Sequence, residues 1–201
     1  MSHKLIFFTG AGISVDSGIS TFQEQEGIRE KLTRYFCLEH YGEYIENIKS
    51  MKLAMDKAEP NAAHYAIAEM NCPVITMNID GLHEKAGTKN VIAIHGRMPT
   101  WDEINNEDLK YRTGIPVLYG DDSPLYQKAY DLMLDLDLQQ SYVVIVGTSF
   151  YTGISEDLYQ IAEKYATKVW VINSNAITEV PKVCEAIKQL LKGEKNWWRK
   201  S

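Results

Sequence analysis

A chain of 201 residues, 45% of them hydrophobic and 24% charged, is long enough to fold around a substantial core, and we expect a single globular domain over residues 1–201. The net charge of -6 at pH 7 argues against nucleic acid as a direct partner, because phosphate backbones are bound by clustered Lys and Arg. Neither a bilayer-length apolar run nor a signal-peptide pattern is present, which predicts a cytoplasmic protein without a membrane partner.

Short runs rich in Val, Ile and Phe alternate with longer segments of helical period. This alternation predicts an α/β fold, a Rossmann-like and mostly parallel sheet with helices on both faces. Between residues 24 and 57 the pattern is helical throughout, so we expect a small helical lobe inserted in the domain, and a covering helix is expected within 123–140. Strands are predicted near 5–8, 74–77, 91–94, 115–119, 142–146 and 168–172.

The first predicted strand ends in Thr9-Gly10-Ala11-Gly12, and Ser14 and Ser17 follow. Such a turn allows the backbone to approach a pyrophosphate closely and presents free N–H groups at the start of the next helix. The usual dinucleotide fingerprint has a third glycine where this chain has Val15, which disfavours an ordinary dehydrogenase. The alternative is a tight strand-to-helix turn with no ligand.

Polar side chains follow the next two predicted strands. Asn78 and Asp80 come after the strand at 74–77, and His95, with a reference pKa of about 6.5, comes after the strand at 91–94. Because parallel strands end at one edge of the sheet, we expect these side chains to face the same crevice. The alternatives are a capping turn formed by Asn78 and Asp80 for a helix at 82–85, and a purely structural histidine. The three motifs together indicate nicotinamide dinucleotide chemistry without hydride transfer.

In this order, the three motifs resemble the sirtuin family of NAD-dependent protein lysine deacylases. The resemblance extends over roughly residues 4 to 175 and includes a Pro-x-x-Ala-His helix at 60–67, a Gly-Thr-Ser loop at 147–149 and an Ile-Asn strand end at 172–173. His64 of that helix is assigned to packing and hydrogen bonding. The resemblance implies that NAD is consumed, that the acyl group of a lysine is transferred to ADP-ribose, and that nicotinamide is released.

The resemblance also implies roles for individual residues. His95 is expected to act as the base, assisted by Asn78, and an acyl-lysine protein or peptide is expected to pair with the segment Tyr119, Gly120 and Asp121 by strand addition. The residues expected to bind NAD are Gly10, Ala11, Gly12, Ser14, Ser17, Phe22, Gln23, Asn78, Asp80, Gly147, Thr148, Ser149, Asn173, Ser174 and Cys184.

The chain departs from the family pattern in its cysteines. Sirtuins commonly carry two Cys-x-x-Cys pairs after the histidine, whereas this chain has no cysteine between Gly96 and Ser141. We therefore expect no metal, with a short loop excursion at 97–114 replacing the structural zinc module.

Two further departures lie inside the motifs. Gln23 stands where the family usually has arginine, and Met77 stands where it usually has glutamine. The lost hydrogen bonds would cost about 2 to 4 kcal/mol of NAD binding if nothing compensates. Two alternatives to deacylation therefore stay open: an NAD glycohydrolase or ADP-ribosyltransferase, and a noncatalytic module that binds NAD or ADP-ribose.

Overall fold

The computed structural model describes residues 4–21, 27–137, 140–150 and 152–197, with side chains described from Leu5 to Lys192. Its described part contains one sheet of parallel strands in the order β3-β2-β1-β4-β5. This confirms the predicted Rossmann-like α/β fold. The strands are β1 (Lys4–Thr9), β2 (Val74–Thr76), β3 (Val91–Ala93), β4 (Ser141–Val146) and β5 (Lys168–Ile172).

Helices connect the strands and cover both faces of the sheet. Two 3₁₀ turns, Ala11–Ser17 and Glu107–Tyr111, supplement them. No helix within the described ranges has the length and apolar character needed to span a bilayer. The helices are α1 (Ile28–Lys31), α2 (Arg34–Glu39), α3 (Tyr41–Lys57), α4 (Ala62–Met70), α5 (Leu82–Lys85), α6 (Trp101–Ile104), α7 (Tyr126–Leu134), α8 (Gly153–Tyr165) and α9 (Ala176–Trp197).

The central strand β1 is buried on both faces because side chains alternate along a strand and helices pack on each side. Phe7 packs with α4 and α9, whereas Phe8 packs with α7 and α8. The covering helix predicted within 123–140 is confirmed as α7, whose Ala129 and Met133 are fully buried.

A third core cluster holds the small lobe. Cys37, Tyr44 and Ile48 from α2 and α3 pack with Ile104 and Leu109, which lie in the excursion at 97–114. That excursion contains α6 and the second 3₁₀ turn. The two stretches, which are far apart in sequence, thus share one core.

The strand predicted at 115–119 is wrong. Residues 115 and 116 form a turn, and the segment makes only one isolated bridge, between Tyr119 and Thr33, and belongs to no sheet of the described chain. Pro116 has no N–H to give to a sheet. Its neighbours bond elsewhere, since Val117 N donates to His95 O and Tyr119 N donates to Leu32 O.

Candidate active site

A cleft of about 1150 Å³ opens at the carboxyl ends of the strands. It lies where the strand order reverses: from β1 the chain continues to β2 and β3 on one side, and β4 and β5 lie on the other. Open α/β sheets bind ligands at this switch point because the two loops that leave neighbouring strands diverge there.

The loops after β1 and β4 meet at the bottom of the cleft through glycines. A Cβ atom on Gly12 would lie 2.6 Å from Gly147 Cα, and a Cβ atom on Gly147 would lie 2.4 Å from Ile13 N. Gly147 also has a φ of +64°, which L side chains rarely adopt. Only glycine at both positions permits this approach, and it leaves the cleft floor as bare backbone.

Three helical N-termini lie along the same cleft. The 3₁₀ turn begins at Ala11, α8 begins at Gly153 after its N-cap Thr152, and α9 begins at Ala176. Helix N-termini carry partial positive charge and unpaired N–H groups, so they favour the phosphates of a dinucleotide. The side chain of Thr148 is buried there, and its Oγ1 has no hydrogen-bond partner among the described residues. The floor therefore fits a pyrophosphate.

Ser14, Asn78 and Asp80 form one hydrogen-bonded group, in which Asn78 lines the cleft. Asn78 Nδ2 donates to Ser14 Oγ at 3.2 Å, and Ser14 Oγ donates to Asp80 Oδ2 at 2.7 Å. The other carboxylate oxygen of Asp80 accepts from Leu82 N at 3.0 Å. Asp80 thus both holds the start of α5 and fixes the serine that orients the Asn78 amide.

His95 lines the cleft with a defined tautomer. Its Nδ1 lies 3.0 Å from the carbonyl oxygen of Met77, which can only accept, so Nδ1 carries the proton and Nε2 is the basic nitrogen. Burial lowers the pKa of His95 below its ordinary 6.5, partly opposed by the bond to Met77. The ring is therefore neutral at pH 7 and can accept a proton at Nε2.

The segment Tyr119-Gly120-Asp121 forms another wall of the cleft. The Tyr119 side chain is 46% exposed, whereas the Asp121 carboxylate is held by two hydrogen bonds from Arg34. Burial would raise the pKa of Asp121, but the bonds from Arg34 and from Leu118 N outweigh it and the pKa lies below its usual value. Asp121 is ionised and engaged within the protein.

The structure brings most of the predicted site residues to one cleft. Gly10, Ser14, Ser17 and Asp80 are not part of the lining itself. Those that line it are Ala11, Gly12, Asn78, His95, Tyr119, Gly120, Asp121, Gly147, Thr148, Ser149, Asn173 and Ser174.

Cys184, a predicted NAD-binding residue, lies away from the cleft. Cys184 packs in the core formed by α4, α9 and the sheet, where burial raises the pKa of its thiol to about 11, and it is not brought to the cleft. Its predicted contact with the adenine end has no support in this arrangement, since the side chain is only 2% exposed. Phe22 and Gln23 lie outside the described residues.

Sequence reasoning missed several residues that shape the site. Thr152 caps α8 and lies 3.9 Å from Met77 Sδ, and the Thr-x-x-Ser pattern at 152–155 was a capping signal that could have located it. His83 contacts Thr9 Oγ1 at 2.9 Å beneath the glycine turn. Arg34, which holds Asp121, had no local signal because its partner is 87 positions away.

Comparison with known proteins shows similarity to the Sir2 family and to NAD-dependent protein deacetylases and deacylases. The model of the Sir2 family matches residues 10–112. An NAD-dependent protein deacetylase of Listeria monocytogenes serotype 4b (strain F2365) is 32% identical over 203 residues, covering 88% of this chain and 87% of the relative. NAD-dependent protein deacylase 2 of Archaeoglobus fulgidus is 30% identical over 239 residues, covering 94% and 93%.

Solved structures agree in fold. A structure described as "Structural Basis for the Mechanism and Regulation of Sir2 Enzymes" matches with a TM-score of 0.77 at 29% identity and covers 94% of each chain. A second, described as "Sir2-p53 peptide-NAD+", matches with a TM-score of 0.76 at 24% identity and covers 92% of this chain and 93% of that one. The second likeness supports the fold alone.

Proposed function

The chain belongs to the Sir2 family, and from this premise we propose that it is an NAD-dependent protein lysine deacylase, which transfers the acyl group to ADP-ribose and releases nicotinamide. The observation that carries the proposal is the cleft at the switch point. It combines a glycine floor, the oriented amide of Asn78 and the neutral imidazole of His95.

We propose that NAD is held along the cleft from its floor to His95. When bound, NAD supplies the ribose that accepts the acyl group and the nicotinamide that leaves. Asn78 and Asp80 would hold the nicotinamide riboside end. Phe22 and Gln23 are included among the NAD-binding residues only because the resemblance implies it. Ala11, Gly12, Gly147 and Thr148 line the floor and would hold the pyrophosphate, and Ser149, Asn173 and Ser174 would hold the adenosine end. Gly10, Ser14 and Ser17 are not part of the lining and would support the pyrophosphate site indirectly.

His95 has the geometry of a general base. With its Nδ1 proton donated to Met77 O, its Nε2 is the atom that can take a proton from a ribose hydroxyl. The Ser14 bond prevents the Asn78 amide from rotating, so Asn78 can orient the reacting end of the cofactor. Because the acyl group passes directly to the ribose, no acylated side chain of the enzyme is required.

We propose that the acyl-lysine peptide lies against Tyr119-Gly120-Asp121. The half-exposed ring of Tyr119 and the exposed Gly120 border the cleft there, and extended peptides add to such segments through main-chain hydrogen bonds. Recognition of this kind selects weakly for peptide sequence. We therefore expect several acyl-lysine peptides to serve as substrates.

We further propose a single catalytic domain over 1–201, with the 24–57 lobe and the 97–114 excursion forming one metal-free unit. The shared core of Cys37, Tyr44, Ile104 and Leu109 supports this. Within the described ranges, no group of three or more His, Cys, Asp or Glu side chains could hold a metal ion. The three cysteines are free thiols, which supports the proposed cytoplasmic location.

The direct test is incubation with NAD, with and without acetyl-lysine peptides, followed by product analysis. Nicotinamide release that depends on peptide and is accompanied by O-acetyl-ADP-ribose would support deacylation. Peptide-independent release would instead indicate an NAD glycohydrolase or ADP-ribosyltransferase. Binding of NAD or ADP-ribose without turnover would indicate a noncatalytic module.

A further inference from the structure

Arg34, the first residue of α2, makes an unusually complete set of hydrogen bonds. Its Nε donates to Asp121 Oδ1 at 2.8 Å and its Nη2 to Asp121 Oδ2 at 2.6 Å. The remaining donors reach Lys110 O at 2.6 Å, Arg112 O at 2.8 Å and Cys37 Sγ at 3.8 Å. All five N–H bonds of the guanidinium therefore have acceptors within the protein. A guanidinium bonded in this way fixes the segments around it, whereas a surface cation is mainly solvated.

The backbone of Arg34 contacts the same wall of the cleft. Arg34 N donates to Tyr119 O at 2.8 Å, and Tyr119 N donates to Leu32 O at 3.0 Å, which together form the isolated parallel bridge. On the other side, Val117 N donates to His95 O at 2.9 Å. The wall at 117–121 is thus suspended between the start of α2 and the loop that carries His95.

Backbone hydrogen bonds and the buried Leu118 hold part of this wall, and the Arg34 side chain adds the bonds that tie it to α2. The segment belongs to no sheet of the described ranges, and its neighbour, the 97–114 excursion, contacts Arg34 through the carbonyl oxygens of Lys110 and Arg112. Asp121 in turn accepts a bond from Leu118 N at 3.1 Å, so the carboxylate shapes the segment from within. One guanidinium therefore joins α2, the excursion and the cleft wall.

We propose that Arg34 is a positioning residue for the acyl-lysine peptide, acting through Asp121 to set the backbone path of residues 117–121. The proposal rests on the proposed function, because the ligand of that wall is the peptide. Arg34 touches neither the glycine floor nor Asn78. Its loss should therefore weaken the binding of peptide and leave the binding of NAD intact.

The first test is the substitution Arg34→Lys. Lysine keeps the charge but cannot form the paired bonds to Asp121 while also reaching two carbonyl oxygens. We expect the KM for an acetyl-lysine peptide to rise about tenfold, with kcat changed less than twofold and the KM for NAD unchanged. Hydrogen exchange should accelerate at the amides of Leu118 and Tyr119. Calorimetric binding of NAD verifies that the variant is folded.

Two further variants make the test specific. Asp121→Asn should reproduce the peptide effect, and the double variant should be no worse than either single one, because both remove the same link. Arg97→Lys is the matched control: Arg97 also pairs through two bonds with a carboxylate, Glu103, but within the described chain neither side chain forms a hydrogen bond or ion pair with residues 117–121. Its KM for peptide should stay at the wild-type value.

The outcomes separate the two proposals. An active wild type in which Arg34→Lys keeps the wild-type peptide KM would overturn the role of Arg34 alone. Equal rises in the KM values for peptide and NAD would overturn it as well, since that result indicates general loosening. A wild type that neither turns over nor binds the peptide would overturn the proposed function and the role of Arg34 together.

Discussion

At the scale of the residue, the ionisation of His95 sets the expected pH dependence. A general base acts when neutral, and burial lowers the pKa of His95 below 6.5. Activity should therefore stay constant as the pH falls from 8 to the ordinary histidine value of about 6.5 and decline only at lower pH. The measurement is kcat/KM for the peptide against pH, restricted to pH values at which circular dichroism shows a folded protein.

Substitution of His95 tests whether this residue, and not another titrating group, causes the expected pH dependence of activity. His95→Ala should abolish deacylation while the circular dichroism spectrum is retained, because the ring is held by one hydrogen bond at the edge of the cleft. His40→Gln serves as the control, since His40 is exposed on the small lobe and does not line the cleft. Full activity of His95→Ala, or a wild-type midpoint above pH 6.5, would remove His95 from the proposed role.

Met77 is the second residue whose chemistry can be tested directly. Its terminal carbon lies 3.1 Å from the position that a Cβ atom on Gly10 would take, and its sulfur is 3.9 Å from Thr152 Oγ1. A thioether is at best a weak acceptor, whereas the glutamine implied by the resemblance both donates and accepts. Met77→Gln should therefore lower the KM for NAD about fivefold, the effect of one added hydrogen bond.

The control for this change is Met70→Gln, because Met70 packs against the opposite core and not in the cleft. Met70→Gln should reduce stability and leave the KM for NAD unchanged. If Met77→Gln raises that KM, the thioether fits the cofactor better than an amide does, and the departure at position 77 is an adaptation rather than a loss.

At the scale of the element, the five strands of the sheet could be predicted because each is a short apolar run. A strand buried on both faces favours apolar side chains on both of them, and in β4 an apolar run at 142–146 follows the buried Ser141. The predicted strands also allowed the candidate site residues after β1, β2 and β3 to be placed together, because parallel strands end at one edge of the sheet.

The run at 115–119 shows where such reasoning fails. It is apolar like a strand, but its N–H groups are bonded to His95 and Leu32, which lie 22 and 87 positions before Val117 and Tyr119. Local composition does not encode such pairing. For the same reason, the bond between Arg34 and Asp121 and the shared core of the small lobe could not be predicted from the sequence and became visible only in the structure.

At the scale of the whole molecule, the cleft rests on a buried layer of polar side chains. Thr9 Oγ1 donates to Thr76 Oγ1 at 2.8 Å and contacts His83 Nε2 at 2.9 Å, and Thr76 Oγ1 accepts from Asn78 N at 3.1 Å. The His83 ring lies 5.0 Å from that of His64, centroid to centroid. The turn of β1 and the position of Asn78 therefore depend on a histidine pair that stays neutral.

This layer predicts loss of stability in acid. Burial lowers the pKa of His64 to about 4, although the charge of Asp80 acts in the opposite direction, and it lowers the pKa of His83 to about 3. In the unfolded chain both titrate near 6.5, so between that pH and about 4 the unfolded state binds protons that the folded state does not. The free energy of unfolding should thus fall by roughly 4 kcal/mol between pH 7 and pH 5, as measured by urea denaturation.

The variant His64→Gln tests the cause. His64 Nδ1 accepts from Asn61 N at 3.3 Å to complete the capping box of α4, and a glutamine oxygen can accept the same bond without titrating. About half of the loss between pH 7 and pH 5 should therefore disappear in His64→Gln, while the exposed His40→Gln should keep all of it. A His64→Gln protein with the wild-type pH dependence would show that other groups, such as the carboxylates, cause the acid sensitivity.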